Sequence, residues 1–209
     1  MSGPDLDAQV RAADPDRWLS SRFVSDPQAR ADLIVLYAFE AELMTIPTRV
    51  TQPLLAEMRY AWWREQLDGV WAGVARKGHP VLEALTDVVA RHDLQRACFD
   101  ALIEAHIGRL HGAPHDLDAF YVGPMQTAVG VLAGPGHAER VIEAGRMWGL
   151  AQTGRFAEVR ALRPAARAAA AGLPAVGFPA ILHARLIGNV KTEIAKRLQL
   201  VLGMATGRL

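Results

Sequence analysis

The sequence has very little cysteine: Cys98 is its single thiol. One thiol cannot form an intramolecular disulfide, so a disulfide scaffold is excluded and a reducing compartment is favoured. Free cysteine is among the most frequently buried residue types, and we therefore expect an inert, buried side chain at this position.

Long hydrophobic runs are also absent. No stretch approaches the roughly 20 apolar residues that a membrane-spanning helix needs, and the N-terminal residues MSGPDLDAQVRAADPDRW lack the apolar core of a signal peptide. These absences favour a cytoplasmic protein that makes at most a peripheral contact with a membrane.

An excess of charge of one sign is missing as well. The chain has 23 Lys and Arg against 22 Asp and Glu, a formal net charge of +1, so no overall field predicts binding to nucleic acid. Positive charge gathers only toward the C-terminal third. A guanidinium can bind phosphate without a metal, so this local excess is either a solvated face or a docking site for anionic lipid head groups or an acidic partner. Its members are Arg146, Arg155, Arg160, Arg163 and Arg167.

Helical periodicity is what the sequence does contain. Apolar residues recur at helical spacing along most of the chain, whereas the alternating pattern of strands is missing. With 51% hydrophobic residues and short loops throughout, the pattern predicts a single all-α domain over residues 1–209, with seven or eight helices. Five of the predicted helices cover residues 31–45 (ending near Pro47), 81–91, 116–132, 138–171 (kinked or split at Pro164) and 180–200.

Three histidines, His106, His111 and His115, lie close together in the sequence and raise the question of a metal site. Gly112 and Pro114 interrupt any helix that would align the last two, and no nearby cysteine or firmly placed carboxylate completes a tetrahedral set. We therefore expect structural or solvated histidines.

Two pairs of adjacent residues also need an interpretation. Ser20 and Ser21 have no G-x-S-x-G context, so helix capping or solvent exposure is expected instead of a nucleophile.

Trp62 and Trp63 are neighbours, so only one of them can join the apolar stripe of its helix. Trp62 then belongs to a cavity wall or partner surface, or it packs on a neighbouring helix.

A series of motifs, taken in order, makes the chain recognisable. DPDRWLSSRF comes first, then a P-x-x-R before LYAF, a Trp-Trp-Arg helix, HPVLEAL, GPMQTAVGVLAG, and a GLAQTGR segment that runs on to GLP. This order resembles the squalene and phytoene synthase family from about Asp14 to about Pro174. The resemblance implies an isoprenoid-synthase-like helical bundle around a cavity. Catalytic members condense two prenyl diphosphates head to head, using Mg²⁺ held by two D-x-x-x-D motifs, whose i, i+4 spacing puts both carboxylates on one helix face.

The aspartates of both motifs are missing from this chain. The resemblance places the first motif near Met44, Thr45 and Thr48, and the second after Arg155, at Phe156 and Arg160. The usual Gln and Asn of the second segment are replaced by Gly149 and Gln152, and the S-x-S-F segment that holds diphosphate corresponds to residues 14–17. Glu40 and Glu42 are two residues apart, so they point to different sides of a helix and do not form a replacement pair. The predicted degenerate pocket positions are Met44, Thr48, Gln152, Arg155, Phe156 and Arg160.

The loss of the aspartates predicts a binding or assembly role with no catalytic residue, metal ligand or cofactor. LYAFEAEL followed by a helix containing W-W-R-E is similar to the branch of the family that supports assembly of respiratory complex I, which implies a chaperone-like role and an assembly partner protein. Two alternatives stay open. One is an active head-to-head prenyl diphosphate transferase that uses Mg²⁺, and the other is a protein that binds a prenyl lipid in the retained cavity.

Overall fold

The computed structural model describes residues 5–74, 76–188 and 192–209. Within these ranges every regular element is helical and no strand occurs, which confirms the predicted all-α class. No described helix combines the length and apolar character needed to cross a membrane. The α-helices are α1 (Leu6–Ala13), α2 (Pro15–Ser21), α3 (Pro27–Arg49), α4 (Pro53–Trp71), α5 (Pro80–His92), α6 (Arg96–Leu110), α7 (Gly123–Ala133), α8 (Ile142–Gln152), α9 (Phe156–Ala170) and α10 (Glu193–Thr206).

Local sequence signals set most of the helix starts. Asp5, Asp14 and Asp26 accept hydrogen bonds from backbone amides at the N-termini of α1, α2 and α3. A proline occupies the first position of α2, α3, α4 and α5. Proline suits this position because its missing N–H would have no partner within the helix.

The long helix α3 runs through the centre of the molecule. Its residues 32–41 are all buried, so it has no solvent-facing side over this stretch. It packs against α1, α5 and α7. Phe39 on α3 meets the ring of Trp63 on α4 at 5.5 Å and that of Phe99 on α6 at 5.3 Å. This arrangement makes α3 the element around which the rest of the core is built.

The helix α3, predicted to end near Pro47, ends two residues later, at Arg49, after passing through this proline. Pro47 has no N–H to donate to the carbonyl of Leu43, one turn earlier. The hydroxyl of Tyr60, on α4, donates to that carbonyl instead, at 3.2 Å. A side chain from another helix therefore satisfies the group that the proline leaves open.

The predicted helix over residues 138–171 is two helices, α8 and α9. They are joined by a turn in which Gly154 has φ +76°, a backbone conformation that favours glycine. Pro164, in contrast, does not split α9, which is continuous from Phe156 to Ala170. Pro164 and Arg160 are exposed, so water can satisfy the carbonyl that the proline leaves without a donor.

The predicted helix over residues 180–200 is wrong in its first part. Residues 182–186 form a short 3₁₀ segment, and α10 begins only at Glu193. Residues 189–191 of this prediction lie outside the described residues. A π-helical segment, Asp118–Val122, lies within the predicted helix over residues 116–132, and 3₁₀ segments occupy Pro135–Val141 and Ala175–Ala180, largely between the predicted helices. The described residues form ten α-helices, more than the seven or eight predicted, because α1 and α2 precede the first predicted helix and the predicted helix over residues 138–171 is divided into α8 and α9.

Candidate ligand-binding cavity

A cavity of about 640 Å³ opens between α2, α3, α4, α6, α7 and α8. Its volume lies within the ~300–1,000 Å³ that is typical of small-molecule sites. One part of the lining is apolar, and another part carries charged side chains and histidines. The apolar part includes Met44, Leu102, Leu110, Phe120, Met125 and Trp148. The charged residues are Asp14, Asp16, Arg17, Glu40 and Arg109.

A buried ion pair between Arg17 on α2 and Glu40 on α3 forms part of the cavity wall. Two guanidinium nitrogens of Arg17 donate to the two carboxylate oxygens of Glu40, at 2.6 and 2.7 Å. The same guanidinium lies over the ring of Tyr37, 3.9 Å from its centroid. Burial raises the pKa of Glu40, and the Glu40 carboxylate in turn raises the pKa of Arg17 despite the opposing effect of burial. Arg17 is therefore permanently charged, and Glu40 is the anion that neutralises it.

The two other carboxylates of the lining also have partners within the protein. Asp14 caps α2 by accepting the backbone N–H of Arg17 at 2.9 Å. Asp16 pairs with Lys196 on α10. Every acidic side chain of the cavity wall is thus bound to a cation or a backbone donor.

These residues do not fit the Mg²⁺ cluster that the family resemblance implies for catalytic members. Magnesium needs several oxygens that converge on one point. Across residues 5–74, 76–188 and 192–209, no group of three or more His, Cys, Asp or Glu side chains is arranged to hold a metal ion. Asp14, Asp16 and Glu40 would each have to leave a protein partner first.

Gly149 stands where the family resemblance implies a Gln. A Cβ at residue 149 would come within 2.4 Å of a ring carbon of Tyr121 and 3.0 Å of Leu117. The Tyr121 ring therefore occupies the space that a larger side chain on α8 would need. A Gln at position 149 would require the Tyr121 ring to move.

His106 on α6 faces the cavity as a neutral imidazole. Its ring stacks on Tyr60 with the centroids 5.2 Å apart, and its Nδ1 lies 3.3 Å from the Tyr60 hydroxyl oxygen. Since that hydroxyl already donates to the carbonyl of Leu43, we assign the proton to Nδ1, which leaves Nε2 as an acceptor. Burial, with a smaller effect of His115, lowers the pKa of His106 to about 4.

His183 is the second buried histidine of the lining, and it is not among the histidines that the sequence pattern indicated. It lies in the 3₁₀ segment Leu182–Leu186, is 2% exposed and meets the ring of Trp148 edge-on at 4.8 Å. Its Nδ1 has no hydrogen-bond partner within the described part of the chain. Burial, and then the charge of Arg17, lowers its pKa well below the usual value. A single histidine within the apolar stretch FPAILHARL was the signal that could have indicated it.

The three histidines considered from sequence have different environments. His106 and His115 both line the cavity, whereas His111 is exposed and lies 3.3 Å from Glu57. His115 stacks on Phe120 with ring centroids 4.5 Å apart, and its Nε2 is 3.1 Å from the Tyr121 hydroxyl. Burial lowers the pKa of His115 as well.

Two of the six predicted pocket positions line the cavity: Met44 on α3 and Gln152 at the end of α8. The other four, Thr48, Arg155, Phe156 and Arg160, are exposed and lie outside its lining. The last three follow the turn at Gly154, which ends α8 and changes the direction of the chain. They therefore do not continue the cavity-facing side of α8, as a continuous helix over residues 138–171 would require.

The basic residues of the C-terminal third are largely engaged with other groups. Arg146 makes two hydrogen bonds of 2.9 Å to Asp118, Arg155 pairs with Glu158, and Arg167 donates to the backbone carbonyl of Leu209. Most of these contacts are exposed, where an ion pair contributes about 0–1 kcal/mol. A docking role for this surface stays a prediction.

The paired serines and tryptophans and the cysteine are explained by local packing. Ser20 and Ser21 are fully buried, so the expected solvent exposure is wrong. Ser20 donates to the carbonyl of Pro179, and Ser21, the last residue of α2, donates to the carbonyl of Trp18 in the last turn of that helix. The ring centroids of Trp62 and His79 are 5.7 Å apart, and Trp62 is not part of the cavity lining. Cys98 is half-buried, and burial raises the pKa of its thiol, which disfavours the reactive thiolate.

Comparison with known proteins identifies a family. The family model for squalene/phytoene synthase matches residues 10–133, more than half of the chain, from within α1 to the end of α7. No curated protein and no solved structure matches the chain significantly. Of the predicted pocket positions, Met44 and Thr48 lie inside the matched range.

Proposed function

This chain belongs to the squalene/phytoene synthase family, whose fold is the isoprenoid-synthase-like helical bundle, and from that premise we propose that it acts by binding without metal-dependent condensation. One observation carries the proposal. All three carboxylates of the cavity wall, Asp14, Asp16 and Glu40, already serve cations or backbone donors of the protein itself.

The energetic cost of freeing one of these carboxylates supports the proposal. If Glu40 turned to a metal, it would leave the guanidinium of Arg17 without its buried counter-charge. Breaking a buried ion pair on one side costs about 3–5 kcal/mol. Because several oxygens are needed for each Mg²⁺, the cost would have to be met at more than one residue.

A role in the assembly of respiratory complex I is the finer form of this proposal. It rests on the similarity of LYAFEAEL and W-W-R-E to that branch of the family. Within LYAFEAEL, Glu40 is the structural partner of Arg17. Affinity purification of a tagged chain from its native host tests this role. Complex I subunits or assembly intermediates should co-purify with the protein.

Lipid binding is the second candidate function, and the cavity itself favours it. A space of about 640 Å³ with an apolar side is retained although the aspartates are gone. An apolar ligand would cover side chains such as Phe120 and Met125 and remove them from water. Lipid binding is compatible with an assembly role, since an assembly protein can also carry a bound lipid.

Our first prediction concerns the condensation reaction. Folded protein incubated with Mg²⁺ and either farnesyl or geranylgeranyl diphosphate should form no condensed hydrocarbon above a protein-free control. Extraction of the hydrophobic products and chromatography measure this. A condensed product that appears with Mg²⁺ and disappears with EDTA would contradict the proposal and require carboxylates other than the three described here.

A further inference from the structure

We propose that α10 docks the protein on an anionic lipid bilayer: its exposed apolar side enters the interface, and basic residues around its C-terminal end contact lipid phosphates. The contact is peripheral, since α10 has 14 residues and a spanning helix needs about 20. No residue of α10 belongs to the cavity lining. The inference therefore goes beyond the proposed function and does not depend on it.

The helix α10 has apolar side chains on two opposite sides, and only one of these sides is covered. Leu200 is fully buried. Gly203 lies so close to the 3₁₀ segment Leu182–Leu186 that a Cβ at this position would come within 2.6 Å of the Leu182 side chain. One side of α10 is therefore held firmly against the body of the protein.

The opposite side of α10 is an exposed aliphatic stripe. Its members recur at i, i+4, i+7 and i+8, the spacing of a single helix face. Exposed apolar patches of this kind mark interaction sites, and nothing in the described part of the chain covers this one. The stripe consists of Ile194, Leu198, Val201 and Leu202, with 80%, 58%, 50% and 42% of their surfaces exposed.

Charge is divided unevenly along the chain. Residues 156–209 contain eight Lys and Arg against two Glu, whereas residues 1–155 contain 15 Lys and Arg against 20 Asp and Glu. The small net charge of the whole chain thus hides a basic C-terminal part, which includes α9 and α10. Such asymmetry is typical of proteins that contact nucleic acid or anionic membranes.

Four arginines of this basic part lie around the C-terminal end of α10. Arg185 donates to the backbone carbonyl of Arg208 at 2.7 Å, and Arg167 on α9 donates to that of Leu209 at 2.6 Å. Burial, and then the charges of Arg167 and Arg163, lower the pKa of Arg185, as expected for like charges close together. None of the four pairs with an Asp or Glu side chain in the described part of the chain. An anionic surface would supply the missing counter-charge.

Arg197 places a further cation beside the aliphatic stripe. It directly precedes Leu198, so its side chain leaves the helix about 100° away from that leucine. Its partner is Glu193, at 3.1 Å in an exposed pair, and exposed pairs contribute little to stability. A lipid phosphate can therefore replace Glu193 while the neighbouring apolar side chains enter the bilayer.

A bilayer fits this surface better than a second copy or an acidic protein does. Symmetric pairing of two copies through α10 would bring together two equal basic clusters, and like charges that face each other oppose association. Protein interfaces depend mainly on aromatic and arginine anchors, among which Leu and Val are rare, and the stripe is wholly aliphatic. An aliphatic helix face with cations beside it is the pattern of helices that lie in a membrane interface.

Binding to lipid vesicles tests the inference. The protein is sedimented with vesicles of phosphatidylcholine alone, or with about 30 mol% phosphatidylglycerol, in about 50 mM and about 500 mM NaCl. We expect binding to the anionic vesicles to be at least tenfold tighter at low salt, and this preference to be mostly lost at high salt, because salt screens exposed charges. Equal binding to both kinds of vesicle, or no binding to either, would overturn the inference.

A matched pair of double variants assigns the contact to α10. Ile194→Ser with Leu198→Ser should weaken binding to the anionic vesicles by tenfold or more, because it removes apolar surface from the interface. The control is Leu54→Ser with Met58→Ser on α4, where the changed side chains are similarly exposed, at 68% and 61%. The control should bind as the wild type does, and circular dichroism checks the fold of both. Unchanged binding of the α10 variant, or equal losses in both, would overturn the inference.

A second pair of variants tests the basic cluster in the same assay. Each basic residue at an anionic membrane contributes roughly fivefold in affinity, so Arg163→Gln with Arg208→Gln should weaken binding by about tenfold or more. The control is Arg49→Gln with Arg59→Gln, two exposed arginines outside the basic part, which should change binding by less than about twofold. Equal effects of the two pairs would refute the role of the cluster.

Light scattering without lipid separates the other occupants of the stripe. We expect a monomer at micromolar concentration. A dimer that Ile194→Ser with Leu198→Ser converts to a monomer, together with no vesicle binding, would show that a second copy covers the stripe and would overturn the inference. A monomer that binds no vesicles would leave a protein partner as the occupant and would overturn it equally.

Discussion

The protonation states of the cavity side chains are set by burial and by ion pairing at individual residues. Arg17 and Glu40 are held as a charged pair by two short hydrogen bonds, whereas His106 and His183 are held neutral by burial. Both effects have the same physical origin. An ion that leaves water must be paired, and a group that finds no counter-charge remains neutral.

The neutral His106 gives a prediction for stability against pH. Its pKa is about 4 in the folded protein and 6.5 ordinarily, so the unfolded chain binds the extra proton first as the pH falls. The stabilisation is complete above about pH 6.5 and is lost progressively toward pH 4, by about 3 kcal/mol in all. Urea unfolding between pH 7.5 and 4.5 should show this decline.

A comparison of two variants checks this assignment. His106→Phe keeps an aromatic ring that can stack on Tyr60 but removes one titrating group, so it should make the decline between pH 6.5 and 4.5 shallower, leaving the part due to His115 and His183, whose pKa values are also lowered by burial. His111→Phe changes an exposed histidine paired with Glu57 and should leave the decline as in the wild type. An unchanged slope in His106→Phe would show that other groups cause the acid sensitivity.

At the scale of elements, α3 depends on its neighbour α4 for one of its own hydrogen bonds. Pro47 leaves the carbonyl of Leu43 without a donor from its own helix, and Tyr60 from α4 supplies one. The Tyr60 ring in turn stacks on His106 of α6. The Tyr60 hydroxyl also lies 3.3 Å from Nδ1 of His106. The helices α3, α4 and α6, which all line the cavity, therefore meet at this one hydroxyl group.

A double-mutant cycle tests this link. Tyr60→Phe leaves the buried carbonyl of Leu43 without its donor and should lower the free energy of unfolding by about 1–3 kcal/mol. Pro47→Ala restores an N–H at the position where a helix would supply it, so the loss should be smaller in the double variant than in Tyr60→Phe alone. Urea denaturation measures all four proteins. Strictly additive effects would show that the two residues do not share this carbonyl.

At the scale of the whole molecule, the helical class could be predicted from sequence because apolar spacing and N-terminal Asp and Pro residues are local signals. The continuation of α3 past Pro47 could not, since it depends on a hydroxyl from another helix. The pairing of Arg17 with Glu40 joins residues 23 positions apart on two helices, and no spacing rule predicts such a contact.

The candidate site was predictable only in part, because it also depends on where turns and contacts between separate helices place its residues. Of the predicted pocket positions, Met44 and Gln152 line the cavity. Phe156 and Arg160 do not, because the turn at Gly154 separates α9 from the cavity-facing side of α8. His183 depends on a 3₁₀ segment that the helical pattern of residues 180–200 concealed.

The central claim is that the cavity of this family member binds without metal, and the effect of Mg²⁺ on diphosphate affinity tests it most directly. Labelled geranylgeranyl diphosphate should bind weakly, and with the same dissociation constant within about twofold in millimolar Mg²⁺ and in EDTA, because Asp14, Asp16 and Glu40 stay with their protein partners. Tightening by tenfold or more in Mg²⁺ would contradict the claim, since it would show that the wall offers oxygens to a metal-bound diphosphate.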